Sequence, residues 1–188
     1  MSSQNSFKFS ELPKVKRRNI ARRLIARRKT FVNLMNGTYN YSDLSGRILL
    51  VGDKPGPGAP ADPNFHHTPF YSTIYSSGWL NYLLGEYRID EDRLIWLNAS
   101  SIRWVDGDFM DVMLGAPPLI EERYEIDGHF INIIDPTHII ALGNLAEAWV
   151  KKNTDRPYIK QAHPQYWKRF KSKEEYPLLP LLYDIIQS

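Results

Sequence analysis

Asn98, His163, Phe70, Asp53 and Lys54 are the residues of this sequence whose types and settings suit ligand chemistry. An amide presents a donor beside an acceptor, so Asn98 matches the polar edge of a heterocycle such as a pyrimidine. The imidazole of His163, in His163-Pro164, can donate to an oxygen on which negative charge grows. Phe70, in Pro69-Phe70-Tyr71, offers a π-face. Asp53 and Lys54 lie in Gly52-Asp53-Lys54-Pro55-Gly56-Pro57-Gly58, where glycines and prolines make a rigid turn that lets backbone approach a ligand closely. A plainer reading stands beside most of them: a core Phe, a turn-capping Asn, a surface-loop Asp, a structural His. For Phe70 the plainer reading is favoured on residue type alone, whereas a His in His163-Pro164 after a strand is not an arbitrary one.

The segments that must position these residues are four short β-rich runs, at residues 47–51, 93–97, 137–142 and 157–161, separated by helical stretches near 78–87, 118–134 and 143–152. Strands that are apolar throughout, rather than alternating, are buried on both faces. Their alternation with helices builds a parallel sheet between helical layers. The expected fold is therefore α/β, a three-layer α/β/α sandwich on a central four-stranded parallel sheet. Ligands bind such sheets at the carboxyl ends of the strands, and the candidate loops fall there. They are Gly52 onward to Tyr71, Asn98-Ala99, Gly143-Asn144, and His163-Pro164-Gln165-Tyr166-Trp167.

Residues 1–12 read as a disordered leader. From Pro13 to about Met35, Ile20, Leu24, Phe31 and Leu34 or Met35 recur at helical spacing, and Gly37 ends the helix. The pairs Arg17/Arg18, Arg22/Arg23 and Arg27/Arg28 are expected on the opposite surface. The division is a basic leader and N-terminal helix over 1–36 and an α/β domain over 37–188, together one globular unit. No internal repeat or low-complexity tract is present.

Residues 1–36 hold ten Lys/Arg against one acid, Glu11, a balance of +9; since the chain carries +3, the remainder carries −6. Such a cationic segment suits a polyanion, because Lys/Arg contacts to phosphates release condensed counterions. The alternatives are a solvated helix face or a mitochondrial-type targeting peptide. With 188 residues the chain suffices for one domain with a full core. The absence of cysteine excludes disulfides, thiolate zinc sites, cysteine nucleophiles and iron–sulfur clusters. It also fits a reducing cytoplasm. No apolar run approaches the roughly 18 residues that span a bilayer, and no signal-peptide core opens the chain. The expectation is a cytoplasmic monomer, off the membrane, without metal.

Taken in order, the loops resemble the uracil-DNA glycosylase superfamily, most closely its thermophilic families. There a strand ends in Gly-x-x-Pro-Gly, followed by Pro-Phe and a Ser-Gly-x-Leu helix start. Here these read Gly52-Asp53-Lys54-Pro55-Gly56, Pro69-Phe70 and Ser77-Gly78-Trp79-Leu80. The family's next strand ends in Thr-Asn, where Leu97-Asn98-Ala99 stands; its third runs into Ala-Leu-Gly-x-x-Ala, where Ala141-Leu142-Gly143-Asn144-Leu145-Ala146 stands. Its last motif is His-Pro followed by a wedge loop, matched by His163-Pro164. The resemblance covers about residues 47–170. It implies a cofactor-free enzyme that flips a pyrimidine out of DNA and hydrolyses its N-glycosidic bond, leaving an abasic site. Such chemistry needs a stacking face, an edge reader, a stabiliser of the leaving base and an oriented water. Phe70, Asn98 and His163 take the first three roles, His163 donating to O2 of the base. Asp53 is the first choice for orienting water or stabilising the oxocarbenium ion, with Asp62 and Asn64 in reserve.

Two departures from the family bear on the chemistry, and Gly56, which other members share, bears on specificity. Several families carry Asp or Asn at the third position of the first motif, where Lys54 stands; the carboxylate is one place earlier, at Asp53. Lys54 can hold a phosphate or attack the sugar as a Schiff-base nucleophile, and the phosphate role is preferred. The four cluster-binding cysteines of the thermophilic families are missing. Where the most uracil-specific family has a Tyr that blocks a C5 methyl, Gly56 leaves that side open. The loop over 57–68, with His66 and His67, frames a larger pocket, and that histidine pair suits hydrogen bonding better than metal. The substrate is thus uracil or a C5-modified pyrimidine, extending to hypermodified phage cytosine in antiviral defence, with DNA repair as the other setting. The run Tyr166-Trp167-Lys168-Arg169-Phe170-Lys171 reads as a wedge that enters the base stack and grips the backbone, or else as a helix start packed on the core. DNA contacts are assigned to Lys54, Arg17, Arg18, Arg22, Arg23, Arg27, Arg28, Tyr166, Trp167 and Arg169. Two rivals remain. A catalytically inactive DNA-binding module is supported by Lys54, and an enzyme of free nucleotides is opposed by the Arg-rich helix.

Overall fold

The first three β-rich runs pair because each is a short, mostly apolar stretch with no polar face to solvate, and the fourth, Ile159-Lys160-Gln161, joins them as a partly exposed edge. In the computed structural model, which describes residues 7–55, 67–106, 113 and 119–188, six strands form. They are β1 (Ile48–Gly52), β2 (Leu94–Asn98), β3 (Ser100–Asp106), β4 (Leu119–Glu125), β5 (His138–Leu142) and β6 (Ile159–Gln161). Four make one parallel sheet in the order β2-β1-β5-β6, while β3 and β4 pair antiparallel in a separate ribbon. Every residue of β1 and β2 is buried.

Alternate residues of these strands serve opposite faces. Leu49, Val51, Ile95, Leu97, Ile139 and Ala141 pack against helices α1 (Lys14–Asn36), α2 (Tyr41–Leu44), α4 (His129–Ile134) and α5 (Asn144–Asn153). Ile48, Leu50, Leu94, Trp96, Ile140 and Leu142 pack against α3 (Tyr75–Glu86) and α7 (Leu178–Gln187). Each such side chain contributes about 1.5–3 kcal/mol by leaving water. The fold is the expected α/β/α sandwich on a four-stranded parallel sheet. Among the described residues no helix is long and apolar enough to cross a membrane.

Two expectations about the elements need correction. The helix expected over 118–134 is not formed: from residue 119, the first of them described, the chain gives β4 and then the short α4. The segment is rich in helix formers, but its backbone pairs with β3 from Ser100↔Glu125 to Asp106↔Leu119, and tertiary pairing overrides a weak local propensity. Residues 7–12 are not a loose leader either. They hold a 3-10 turn at Phe9–Glu11, and the Phe7 ring lies 5.5 Å from that of Tyr82 on α3. Residues 1–6 lie outside the described residues.

Helix α1 buries Ile20, Leu24, Phe31 and Leu34, as their spacing requires. Gly37 closes it at φ 71°, and the Thr38 N–H returns to the Asn33 carbonyl at 2.9 Å. The arginines divide differently from the expectation. Arg27 stands seven residues after Ile20 and three after Leu24, so it shares the buried stripe and is 2% exposed. Its Nη2 meets Glu91 Oε1 at 2.8 Å, and Glu91 also receives Arg23 Nη1 at 3.3 Å. Arg23 Nη2 donates to the Ile89 carbonyl at 2.6 Å. Arg23 and Arg27 are thus committed to the fold and unavailable to phosphates. Arg18 and Arg22 are exposed, Arg17 is partly covered, and Arg28 lies 5.6 Å from the Tyr71 ring.

Removing one partner of a buried pair strands the other's charge, so Arg27→Ala is expected to cost about 3–5 kcal/mol in urea unfolding. The exposed Arg22→Ala should stay within about 0.5 kcal/mol of wild type in the same measurement.

Candidate functional site

Parallel strands all end at one edge of the sheet, and the loops that follow them converge there. At the end of β1, the Ala99 N–H donates to the Gly52 carbonyl at 2.9 Å and the Ser100 N–H to the Asp53 carbonyl at 3.0 Å. This fixes the Asp53 backbone beside the end of β2. A Cβ on Gly52 would stand 2.5 Å from Asn98 Oδ1 and 2.9 Å from Phe70 Cε2. Glycine here is what lets those two side chains meet.

Asn98 closes β2 and is 4% exposed. Its side-chain amide has no hydrogen-bond partner among the described residues, and the residue lines a cleft. Phe70 sits in left-handed backbone at φ 52°. It is held there through its carbonyl, which accepts from Arg27 Nη1 at 3.0 Å and Asn81 Nδ2 at 2.9 Å. The Phe70 ring lies 5.6 Å from Trp96, edge to face, and 5.7 Å from the His163 ring.

His163 caps α6 (Pro164–Lys171): the Gln165 N–H donates to its Nδ1 at 3.1 Å. An accepting Nδ1 carries no proton, so that bond assigns the neutral ring's proton to Nε2, as a donor. Burial pushes the imidazole below its usual value near 6.5, and the charge of Asp53 pulls it partly back. The ring is neutral at pH 7. Gly143, at φ 97°, completes the wall; a Cβ there would stand 3.2 Å from that of His163.

Asp53, Lys54, Phe70, Asn98, His163 and Arg169, all singled out in the sequence, line one cleft of about 510 Å³. The structure adds Thr68, buried with an unpartnered hydroxyl, together with Ser72, Ser76 and Ser77, and the cation Lys168. Ser77 was visible within a motif and Lys168 within the run after His163, while Thr68 was marked only as the end of the loop expected to frame the pocket. The supports behind the site, Arg27, Asn81 and Glu91, were also missed, because each reads by type as surface. Gly56, Asp62, Asn64 and His66 lie outside the described residues, and His67 is buried.

The segment after His163 is a helix rather than a wedge loop. Tyr166 and Phe170 are exposed on it, with ring centroids 5.2 Å apart. Trp167 turns inward instead: it stacks on Tyr176 at 5.5 Å and donates to the Glu174 carbonyl at 3.2 Å. It therefore leaves the set of DNA contacts. Compared with models of known protein families and with curated proteins, the chain matches none.

The folded His163 ring binds a proton less readily than the unfolded one, so its share of stability is whole above about pH 6.5 and lost as pH falls below it. His163→Asn keeps an N-cap that does not titrate. Melting curves of the two proteins between about pH 8 and about pH 5 should therefore show wild type losing ground to the variant only on the acid side.

Proposed function

We propose that this protein is a DNA glycosylase that takes a pyrimidine flipped out of DNA and hydrolyses its N-glycosidic bond, leaving an abasic site. The observation that carries this reading is Asn98: a buried amide without a protein partner, in one cleft with the Nε2–H of His163 and the Phe70 ring. The amide gives neither its donor nor its acceptor to another described residue, so a base offering an acceptor and a donor on one edge would pair with both. A planar ring on Phe70 would present a carbonyl to His163 and its polar edge to Asn98.

In that arrangement the bond from C1′ to the base nitrogen breaks, and its electron pair leaves with the base. Charge gathers on O2, where the His163 donor stabilises it. Being neutral, His163 donates a hydrogen bond without first having to lose a proton. The Asp53 carboxylate balances the cationic sugar and orients the water whose oxygen bonds to C1′, the released proton passing to the carboxylate or to solvent. Lys54 and Arg169, both exposed at the cleft, suit flanking phosphates. A cleft of about 510 Å³ is in the range that takes drug-sized ligands. That size admits uracil and also a C5-substituted pyrimidine, whether in repair or in antiviral defence. A monomer acting in the cytoplasm belongs to the same proposal.

Lys54, in the place where several families position water, favours a second reading: an inactive DNA-binding module of this fold. Against an enzyme of free nucleotides, the basic helix now counts for less, since Arg23 and Arg27 are committed to the fold.

Incubation with DNAs carrying uracil, hydroxymethyluracil, hydroxymethylcytosine or its glucoside, followed by assay for abasic sites, tests the reading. His163→Ala should lose a hundredfold or more in excision, about 3 kcal/mol, while binding DNA as wild type does. Asn98→Ala should impair every substrate. Wild-type binding without excision would establish the inactive module. A covalent protein–DNA adduct trapped by borohydride through Lys54 would instead identify a lyase that works through a Schiff base.

Neutralising Arg17, Arg18 and Arg22 together should lower the slope of log affinity against log salt by roughly 0.9 for each phosphate left without its cation. An unchanged slope would return α1 to a solvated face.

A further inference from the structure

We infer that Ile74 and Tyr75 form a blade that enters the base stack of duplex DNA beside the flipped nucleotide. The partner rests on the glycosylase reading; the blade rests on the turn that opens α3. Ile74 is 51% exposed and Tyr75 69%, and both line the cleft. Tyr75 has no ring or hydrogen-bond partner among the described residues. Its backbone is at φ 56°, left-handed conformation that disfavours every residue but glycine and a few short polar ones. Strain persists only where surrounding structure imposes it, and it clusters at ligand clamps. Here it holds a ring out into solvent, where it stabilises nothing in the fold.

A blade has to be stiff, and this turn is. The Ile74 N–H donates to Ser72 Oγ at 3.1 Å, and Ser77 Oγ donates to the Ser72 carbonyl at 3.4 Å. The fully buried Asn81 holds the Ser72 and Phe70 carbonyls together, at 3.0 and 2.9 Å. Gly78 gives the Thr73 carbonyl a place that a Cβ would collide with. One rigid piece thus carries the stacking ring of Phe70 at one end and the exposed pair at the other.

Charge complementarity identifies the occupant. Among the described residues, Lys54, Lys168 and Arg169 line the same cleft against a single carboxylate, Asp53. An apolar point among cations fits a polyanion that shows apolar faces once opened, which describes a duplex losing one base from its stack. In a single strand there is far less stacking to break, so the blade acts mainly on duplex.

The test uses duplex and single-stranded oligonucleotides carrying the excised pyrimidine, with a fluorescent 2-aminopurine beside it in the duplex. Tyr75→Gly removes the ring from a backbone that glycine adopts freely, so the variant should fold. It should lose excision roughly ten- to a hundredfold on duplex, the size of one base–aromatic contact, and far less on single strands. The 2-aminopurine brightening on binding should fade in parallel. Ile74→Ser should act in the same direction, and Tyr75→Phe should retain duplex activity. Equal losses on both substrates, or unchanged duplex excision and brightening in Tyr75→Gly, would overturn the blade. A wild type that excises nothing yet brightens the duplex, and loses this in Tyr75→Gly, would keep the blade and sink the glycosylase. Neither excision nor brightening in wild type would overturn both.

Discussion

A guanidinium taken out of water must satisfy its donors inside the protein, and Arg27 does so with three parts of the chain at once. It pairs with Glu91 just before β2, donates to the Phe70 carbonyl after β1, and lies 4.3 Å from the Trp96 ring within β2. Glu91 in turn accepts from Trp96 Nε1 at 2.6 Å. The N-terminal helix is therefore not an appendage. Through one buried side chain it sets where β2 begins and where the aromatic wall of the cleft stands. Apolar residues of similar volume often match such a pair in stability. What apolar contacts would not supply is a donor aimed at one particular carbonyl.

That donor explains how Phe70 persists in left-handed backbone. The cleft is built on the same logic throughout: backbone is pinned by interior groups so that side chains need not be. Gly52 yields its space to Asn98 and Phe70, Gly143 yields its space to His163, and the N-cap bond fixes the His163 tautomer. Asn98 and the buried Thr68 hydroxyl, neither of them partnered among the described residues, both line the cavity.

The sheet was legible in the sequence because β1, β2 and β5 are nearly continuous apolar runs, a signal that needs no partner to be read, while β6 was marked only by its place after a helix. The convergence of Asp53, Asn98 and His163 followed from the rule that parallel strands end together. Contacts between segments were not legible. Arg27 reads as a surface charge by type, and only its distance from Ile20 and Leu24 hints that it faces inward. The β3–β4 ribbon depends on pairing between two consecutive segments, while the local composition of the second favours helix. Trp167 and Tyr166 are neighbours of similar character, and only the position of Tyr176 decides which of them turns in.

Gly52, Phe70, Asn98, Gly143 and His163 each come from a different stretch of chain, and their proximity exists only when the whole sheet is assembled. No fragment of the protein would carry a partial version of the cleft. The site has no stability of its own, so it is lost in the same cooperative transition as the sheet. The cleft is in that sense a property of the global fold, and whatever it binds would report on the folding of all four parallel strands.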